Sequence, residues 1–487
     1  MAALPPLEQL DPADAWAAWA PSQRDPWTRK WAAHLYRRAG FGASGRELAV
    51  AEKAGFAATL DLLLTGRPGA DDLLPTLADV GRVAAARDTD GTELRGWWVY
   101  CALQSGHPLR EKMTLFWHNH FATSIFKVRE ASLMFRQNVL FREHALGQFG
   151  PLLRAVGRDG AMLVWLDSNS NVKGKPNENY AREVMELFSL GVGNYTEKDV
   201  REAARAFTGW HTDGTGFRFD AAQHDTGPKT VLGRTGNWGG EDVVTVLLDQ
   251  PAAARFLVGK LYAYLVSEVA PPAALLEPLC AAFRKSAYDV AALVKTILAS
   301  RLFFSDHAFR KKIKSPVEYV LGAARAVYRH YDEDDAHYRP LAHQALVKWL
   351  GAMGQALFAP PNVKGWPGGR AWLTTTTVLE RDNFAAALAT GALWAPPAET
   401  ANFAVSADLP PPRALDPARV LDEEQVTTPE GVVRVLLDQF VPGGVRPEAR
   451  EKLVAFVAED KPTGIALARR AREAAHAILT MPESQLN

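Results

Sequence analysis

Residues 167–183, DSNSNVKGKPNENYARE, hold a dense run of short polar side chains between the apolar AMLVWL and a helix-forming segment. Such side chains bond at close range, which suits either a ligand loop or turns that cap the next helix. Asp167, Asn169, Asn171 and Glu178 fall at the first, third, fifth and twelfth places of a twelve-residue window, the oxygen spacing of a calcium hand. Val172 stands where that loop needs Gly, and Lys173 and Lys175 bring positive charge, which weakens calcium against a capping loop or a substrate loop. In a substrate loop, Lys173 and Arg182 suit an anionic group, with Asp167, Asn171 and Asn177 beside them. Glu178 and Glu183 are candidate catalytic carboxylates. Glu183 and Glu186, three apart, share a helix face, where they serve as acid and base or pair with Arg182 and Arg201.

HPLREKMTLFWHNHF (107–121) offers His118 and His120. Helical residues two apart point about 200° away from each other, so both cannot hold one ion inside a helix. The geometry favours one site histidine and one core histidine. His118 lies on the stripe of Glu111 and Thr114. The Gly-rich stretch FTGWHTDGTGFRFDAAQHDTGPKTVLG (207–233) carries His211, His224, Asp225 and Lys229. Two imidazoles and a carboxylate are a common first shell for a divalent metal, so His118, His224 and Asp225 form a candidate metal set. Glu111 would be a second-shell acceptor or a further ligand. His118, His224 and Asp225 are also acid–base candidates, and Lys229 and His211 are ligand contacts. The competing account is a hydrogen-bonded network that holds the Gly-rich loop on the helix. APPNVKGWPGG (359–369) places Lys364 and Trp366 on a rigid loop, suited to a sugar-like ligand or to a structural plug.

Helices must position these groups. Asp25-Pro26 reads as a helix start, with apolar periodicity over Trp27–Tyr36 and a stop at Gly40. Ser44 with Glu47 reads as a capping box, and Thr196 with Asp199 as a second cap. Periodic segments follow near 91–104, 108–121, 129–143, 178–190, 251–266, 272–285, 289–299, 315–330, 338–353, 374–391 and 464–479. Residues 208–240 predict a loop with one short hairpin, and 354–373 are too rich in Pro and Gly for helix. The expected fold is mainly α. A helical domain fills 1–392, a Pro/Ala-rich linker 393–428, and a small helical region 429–487.

Composition limits the function classes. Lys+Arg and Asp+Glu are balanced at 55 each, so no net field favours nucleic acid. Cys101 and Cys280 stand far apart and outside any CxxC pair, which predicts buried free thiols. No run of about 18 apolar residues occurs, so no membrane span is expected. The N-terminus lacks a basic region followed by an apolar one, so the expectation is cytoplasmic, or an envelope location reached on a partner's export signal. No G-x-S-x-G, HExxH, GxxxxGK[ST] or GxGxxG motif stands in a strand-to-helix context, which lowers the serine-hydrolase, zincin and nucleotide-binding readings.

The segments FWHNHFATS, AMLVWLDSNSNVKGKPNENYAREVMELFSLGVGNYTEKDVREAARAFTGW, HDTGPKTVLG and PPNVKGWPGG, in this order, resemble a bacterial family known as domain of unknown function 1800. The likeness runs from RRAGFGAS (37–44) to LERDNF (379–384) and, more weakly, to the closing ILTMPESQ. The resemblance implies a genomic neighbour: members are often encoded beside a sulfatase-like family with twin-arginine export signals. Two functions stand as expectations. One is a hydrolase or transferase, metal-assisted by a divalent ion, acting on a polar or carbohydrate-like substrate. The other is a non-catalytic docking partner of an exported sulfatase-like enzyme. Convergence of 118, 167–183 and 211–229 in one pocket would favour the enzyme; their spread over a face would favour docking.

Overall fold

A computed structural model describes residues 5–327, 340–391, 393, 418, 421 and 424–487. The chain is mainly α. The capping boxes form: Glu47 N–H donates to Ser44 Oγ at 3.2 Å and Ser44 N–H to Glu47 Oε2 at 2.7 Å, with the same exchange between Asp199 and Thr196. Each such cap is worth about 1 kcal/mol. The expected start at Asp25 is displaced. The helix begins at Arg29 after Thr28, and Asp25 instead accepts from the indole N–H groups of Trp19 and Trp31. A buried indole donor needs an acceptor, and this need outweighed the local capping signal.

Two apolar clusters make the core. The first gathers Ala32, Leu35, Trp117, Phe149, Val244 and Leu257. The second gathers Trp98, Met134, Val320, Phe384, Leu436 and Ile478. The helix Pro108–His120 stands between them, giving Met113, Phe116 and Trp117 to the first and Leu115 to the second. It is therefore buried nearly all round, and Glu111 and Lys112 find their partners inside the protein. Arg142 donates to both oxygens of Glu111 at 2.7 and 2.9 Å, and Lys112 Nζ meets Glu318 Oε1 at 2.5 Å.

The helices Pro429–Phe440, Pro447–Ala458 and Gly464–Thr480 bury their apolar faces in the second cluster, with Pro316–Val327 and Thr375–Ala389. Most of the expected linker, 393–428, lies outside the described residues. Of those described, Leu393, Ala418 and Leu421 are buried in the second cluster. Both cysteines are buried free thiols. Among the described residues no helix is long and apolar enough to cross a membrane.

The Gly-rich stretch forms two short antiparallel hairpins rather than one. β1 (Trp210–Thr212) pairs with β2 (Phe217–Phe219), and β3 (Lys229–Val231) with β4 (Arg234–Gly236). Helices at Phe56–Thr65, Leu74–Arg87, Phe149–Gly157 and Gly240–Leu248 were not expected from the sequence pattern. Phe56–Thr65 and Gly240–Leu248 are short and mostly apolar, and Leu74–Arg87 is rich in small residues, which blurs the 3.6-residue stripe; Phe149–Gly157 carries a clear stripe, but over only 9 residues.

Candidate functional site

The polar loop and the Gly-rich loop are built into each other. Asn171, almost fully buried, donates through Nδ2 to the Ala204 carbonyl at 3.0 Å and accepts at Oδ1 from the Asn177 N–H at 2.9 Å. Its own carbonyl receives the Gly209 N–H at 3.1 Å. Asn169 pairs with both backbone groups of Thr212, at 2.8 and 2.9 Å, as a neighbouring strand would. Lys173 N–H donates to Gln223 O at 2.8 Å. Gly209 has φ 81°, and a Cβ there would lie 2.5 Å from the Asp220 carbonyl oxygen, so only glycine lets the loops close. Asp167, at φ 57°, accepts from Lys127 Nζ at 2.9 Å and from Asn179 Nδ2 at 3.4 Å. Asp167, Asn169, Ser170, Lys173, Lys175 and Asn179 remain exposed on this braced scaffold.

The calcium reading loses its donors here. Asn169 and Asn171 turn their oxygens to backbone N–H groups, and Glu178 pairs with Arg182 at 2.9 Å. Arg182 also grips Glu197 at 2.8 and 2.7 Å, so it is not an open anion receptor. Asp225 is held by Arg205 at 2.8 Å, and His224 Nδ1 contacts the Thr208 carbonyl at 2.9 Å. Lys229 is buried and clamps the carbonyls of Asp225 and Gly227 at 2.5 and 3.0 Å. His211 is buried on β1, with Nε2 unpartnered.

His118 sits elsewhere. It lies in the last turn of Pro108–His120, fully buried, with ring centroids of Trp98 at 5.1 Å, Phe358 and Trp366 at 5.5 Å and Phe141 at 6.0 Å. Neither ring nitrogen has a hydrogen-bond partner among the described residues, and burial pushes its pKa down to about 3. Trp366 Nε1 and both amide atoms of Asn138, one turn before Phe141, are also unpartnered. Glu111, the expected second-shell acceptor, is spent on Arg142. The metal set His118/His224/Asp225 is thus not assembled: an aromatic box encloses the first, and protein groups engage the other two. Among the described residues no three His, Cys, Asp or Glu side chains are arranged to hold a metal ion.

His120 points to the opposite side, as helix geometry requires. Its Nε2 meets Phe188 O at 3.0 Å and its Nδ1 meets Lys260 Nζ at 3.0 Å. The lysine donates to Nδ1, so Nε2 carries the proton and the ring is neutral. Burial lowers Lys260 to about 8. The Phe188 and Leu187 carbonyls reach these groups from a π-helical turn, Val184–Ser189, a widening often found at functional sites. Just before that turn, half-buried Glu183 has a raised pKa, chiefly from burial and then from Glu186; Arg182 and Lys364 oppose the shift. Glu186 Oε2 accepts from Tyr195 Oη at 2.7 Å. The 359–369 loop docks through Asn119, whose Oδ1 accepts the Trp366 N–H at 2.6 Å. Gly365, at φ 86°, admits that oxygen where a Cβ would stand 2.3 Å from it.

Two of the three polar segments therefore meet, 167–179 with 209–224. His118 is joined to neither by a hydrogen bond or ring contact, and Lys364 belongs with Glu183. Lys260, Asn138 and Asn119 were missed by sequence reasoning. Asn119 was legible in principle, lying between the two histidines of WHNH, whereas Lys260 sits in an ordinary apolar-periodic helix.

No curated protein and no solved structure matches the chain. A family model described as "Protein of unknown function (DUF1800)" matches residues 34–486, nearly the whole chain. The chain therefore belongs to that family.

Proposed function

We propose that the chain is a binding protein that docks a partner on the face made by residues 167–179 and 209–224. The observation that carries this is the division of labour in the loops. The amides of buried Asn171 and of Asn169 brace the backbone, while Asp167, Lys173, Lys175 and Asn179 stay exposed. A surface already fixed loses little entropy on association. Its charges are mixed, with Lys173 and Lys175 projecting from the turn around Gly174, which suits an acidic patch on a protein. Behind the loops the described side chains of Leu163, Asn171, Tyr180 and Trp210 close on one another and leave no room for a water-sized group, unlike a ligand pocket. The family's frequent gene neighbour, a sulfatase-like protein with a twin-arginine signal, is the partner we propose, with export of the folded pair. Titrating the purified chain with the sulfatase-like protein encoded nearest to it tests this. Binding should weaken by about tenfold or more in the Lys173→Glu/Lys175→Glu double variant. No binding by wild type, or equal binding by the variant, would reject the proposal.

A second reading, a hydrolase or transferase, is favoured by one feature, the Glu183–Glu186 pair. Burial and then the neighbouring Glu186 raise the pKa of Glu183, and two adjacent carboxyls are an acid–base arrangement. Turnover of a polar or sugar-like substrate that disappears in both Glu183→Gln and Glu186→Gln would support it.

A further inference from the structure

We propose that a cavity between the helices Arg29–Ala39 and Pro316–Val327 and residues 484–487 binds a small oxyanion, a carboxylate or phosphate group, through Arg37, Lys314 and Asn487. This partly open cavity offers about 40 Å3 to the centres of water-sized groups, room for a small anion, and is also lined by Phe41, Tyr319 and Phe440. It lies far in sequence from the polar loops and is independent of their proposed role.

Three observations converge. First, Arg37 Nε and Nη2 are shielded from solvent and have no hydrogen-bond partner among the described residues. These two atoms form one edge of the guanidinium, the edge that grips two oxygens of a carboxylate or phosphate side by side. Second, Asn487, 1% exposed, presents Nδ2 with no partner on the same wall. Third, two of the cations in the lining lack an ion pair among the described residues. Among the described lining residues Glu318 is the only carboxylate side chain, and it is taken by Lys112 Nζ at 2.5 Å and by the Ser315 N–H at 2.8 Å. Arg37 and Lys314 remain with no ion pair among the described residues. Behind the wall stand more cations: Arg38, which donates to Ala308 O and Asn487 O, and Lys312, which donates to Ala263 O. Buried charge is costly unless a counter-charge meets it. The cost shows in the lysine: burial first, then the charge of Arg37, holds Lys314 down to about 7. An oxyanion between Arg37 and Lys314 would complete the fork, use the Asn487 donor and give both cations a counter-charge. Gln439 Oε1, an unpartnered acceptor on the same wall, fits a protonated phosphate oxygen or a water.

Thermal unfolding and titration calorimetry with inorganic phosphate and with acetate, at fixed ionic strength in chloride, test the site. Wild type should show saturable binding and a saturating rise in Tm with at least one of them. Saturation by acetate alone identifies a carboxylate site, and by phosphate alone a phosphate site. Arg37→Lys, which keeps the charge but loses the fork, and Lys314→Gln should each weaken binding by about tenfold or more. Should either fail to fold, Asn487→Asp decides. Its resident carboxylate should abolish the anion response and raise Tm in chloride alone. The same anion response in wild type and every folded variant, or none in wild type, overturns the proposal.

Discussion

In the loops at 167–179 and 209–224 nearly every asparagine amide is met by another group of the chain, whereas the imidazole of His118, more deeply buried, is met by none. The loops look like a reaction centre in sequence, yet their polar atoms spend themselves on holding backbone. The histidine sits in a helix that reads as core, and there its hydrogen-bonding capacity is left unused. Density of polar residues therefore marks where a chain needs bracing, and unspent buried atoms mark where something else is accommodated.

The contrast can be broken by substitution. The largest effect belongs to the floor beneath the His118 helix. Glu111→Gln leaves Arg142 half-partnered in the interior and should cost about 3–5 kcal/mol in denaturant unfolding. Next comes the loop brace. Asn171→Ala removes an acceptor for Asn177 N–H and a donor to Ala204 O, and should cost about 2–4 kcal/mol at roughly 1–3 per orphaned group. His118→Phe, which gives up no hydrogen bond, should cost under about 1.5 kcal/mol at neutral pH. Equal losses at Asn171 and His118 would erase the distinction between the two regions.

The third effect is a pH dependence. The folded-state pKa of His118 is depressed from 6.5 to about 3. The unfolded chain thus takes up a proton that the folded chain refuses. Stability from this group is complete above 6.5 and drains as pH falls toward 3, by up to about 1.4 kcal/mol per pH unit. His34 and His120 are buried and depressed as well, so the informative quantity is the difference between wild type and His118→Phe. Unfolding curves from pH 7 to 4 should fall less steeply in the variant; parallel curves would show a polar partner at His118. The smallest effect is at the surface, where Lys173→Glu/Lys175→Glu should move stability by no more than about 0.5 kcal/mol. A larger loss would mean that those lysines serve the fold.

Much of the helical frame was legible because caps and 3.6-residue periods are local. Ser44–Glu47 and Thr196–Asp199 cap as written, and the expected helix at 108–121 ends at His120. The opposed directions of His118 and His120 also followed from geometry alone. What surrounds them did not. Phe141 is a helix away, and Phe358 and Trp366 come from a loop more than two hundred residues on. Arg37 and Lys314 were invisible for a related reason: nothing local in RKWAAHLYRRA or RKKIK shows which of their charges packing will enclose. The fate of each asparagine oxygen in 167–179 likewise depended on which backbone N–H the fold brought to it.

The central claim is that the braced loops form the docking face. Amide hydrogen exchange of the chain, alone and with the sulfatase-like partner, tests it most directly. The account predicts new protection at 167–179 and 209–224, with little change in the helix Pro108–His120. Protection confined to another surface, or none at these loops under saturating partner, would contradict it.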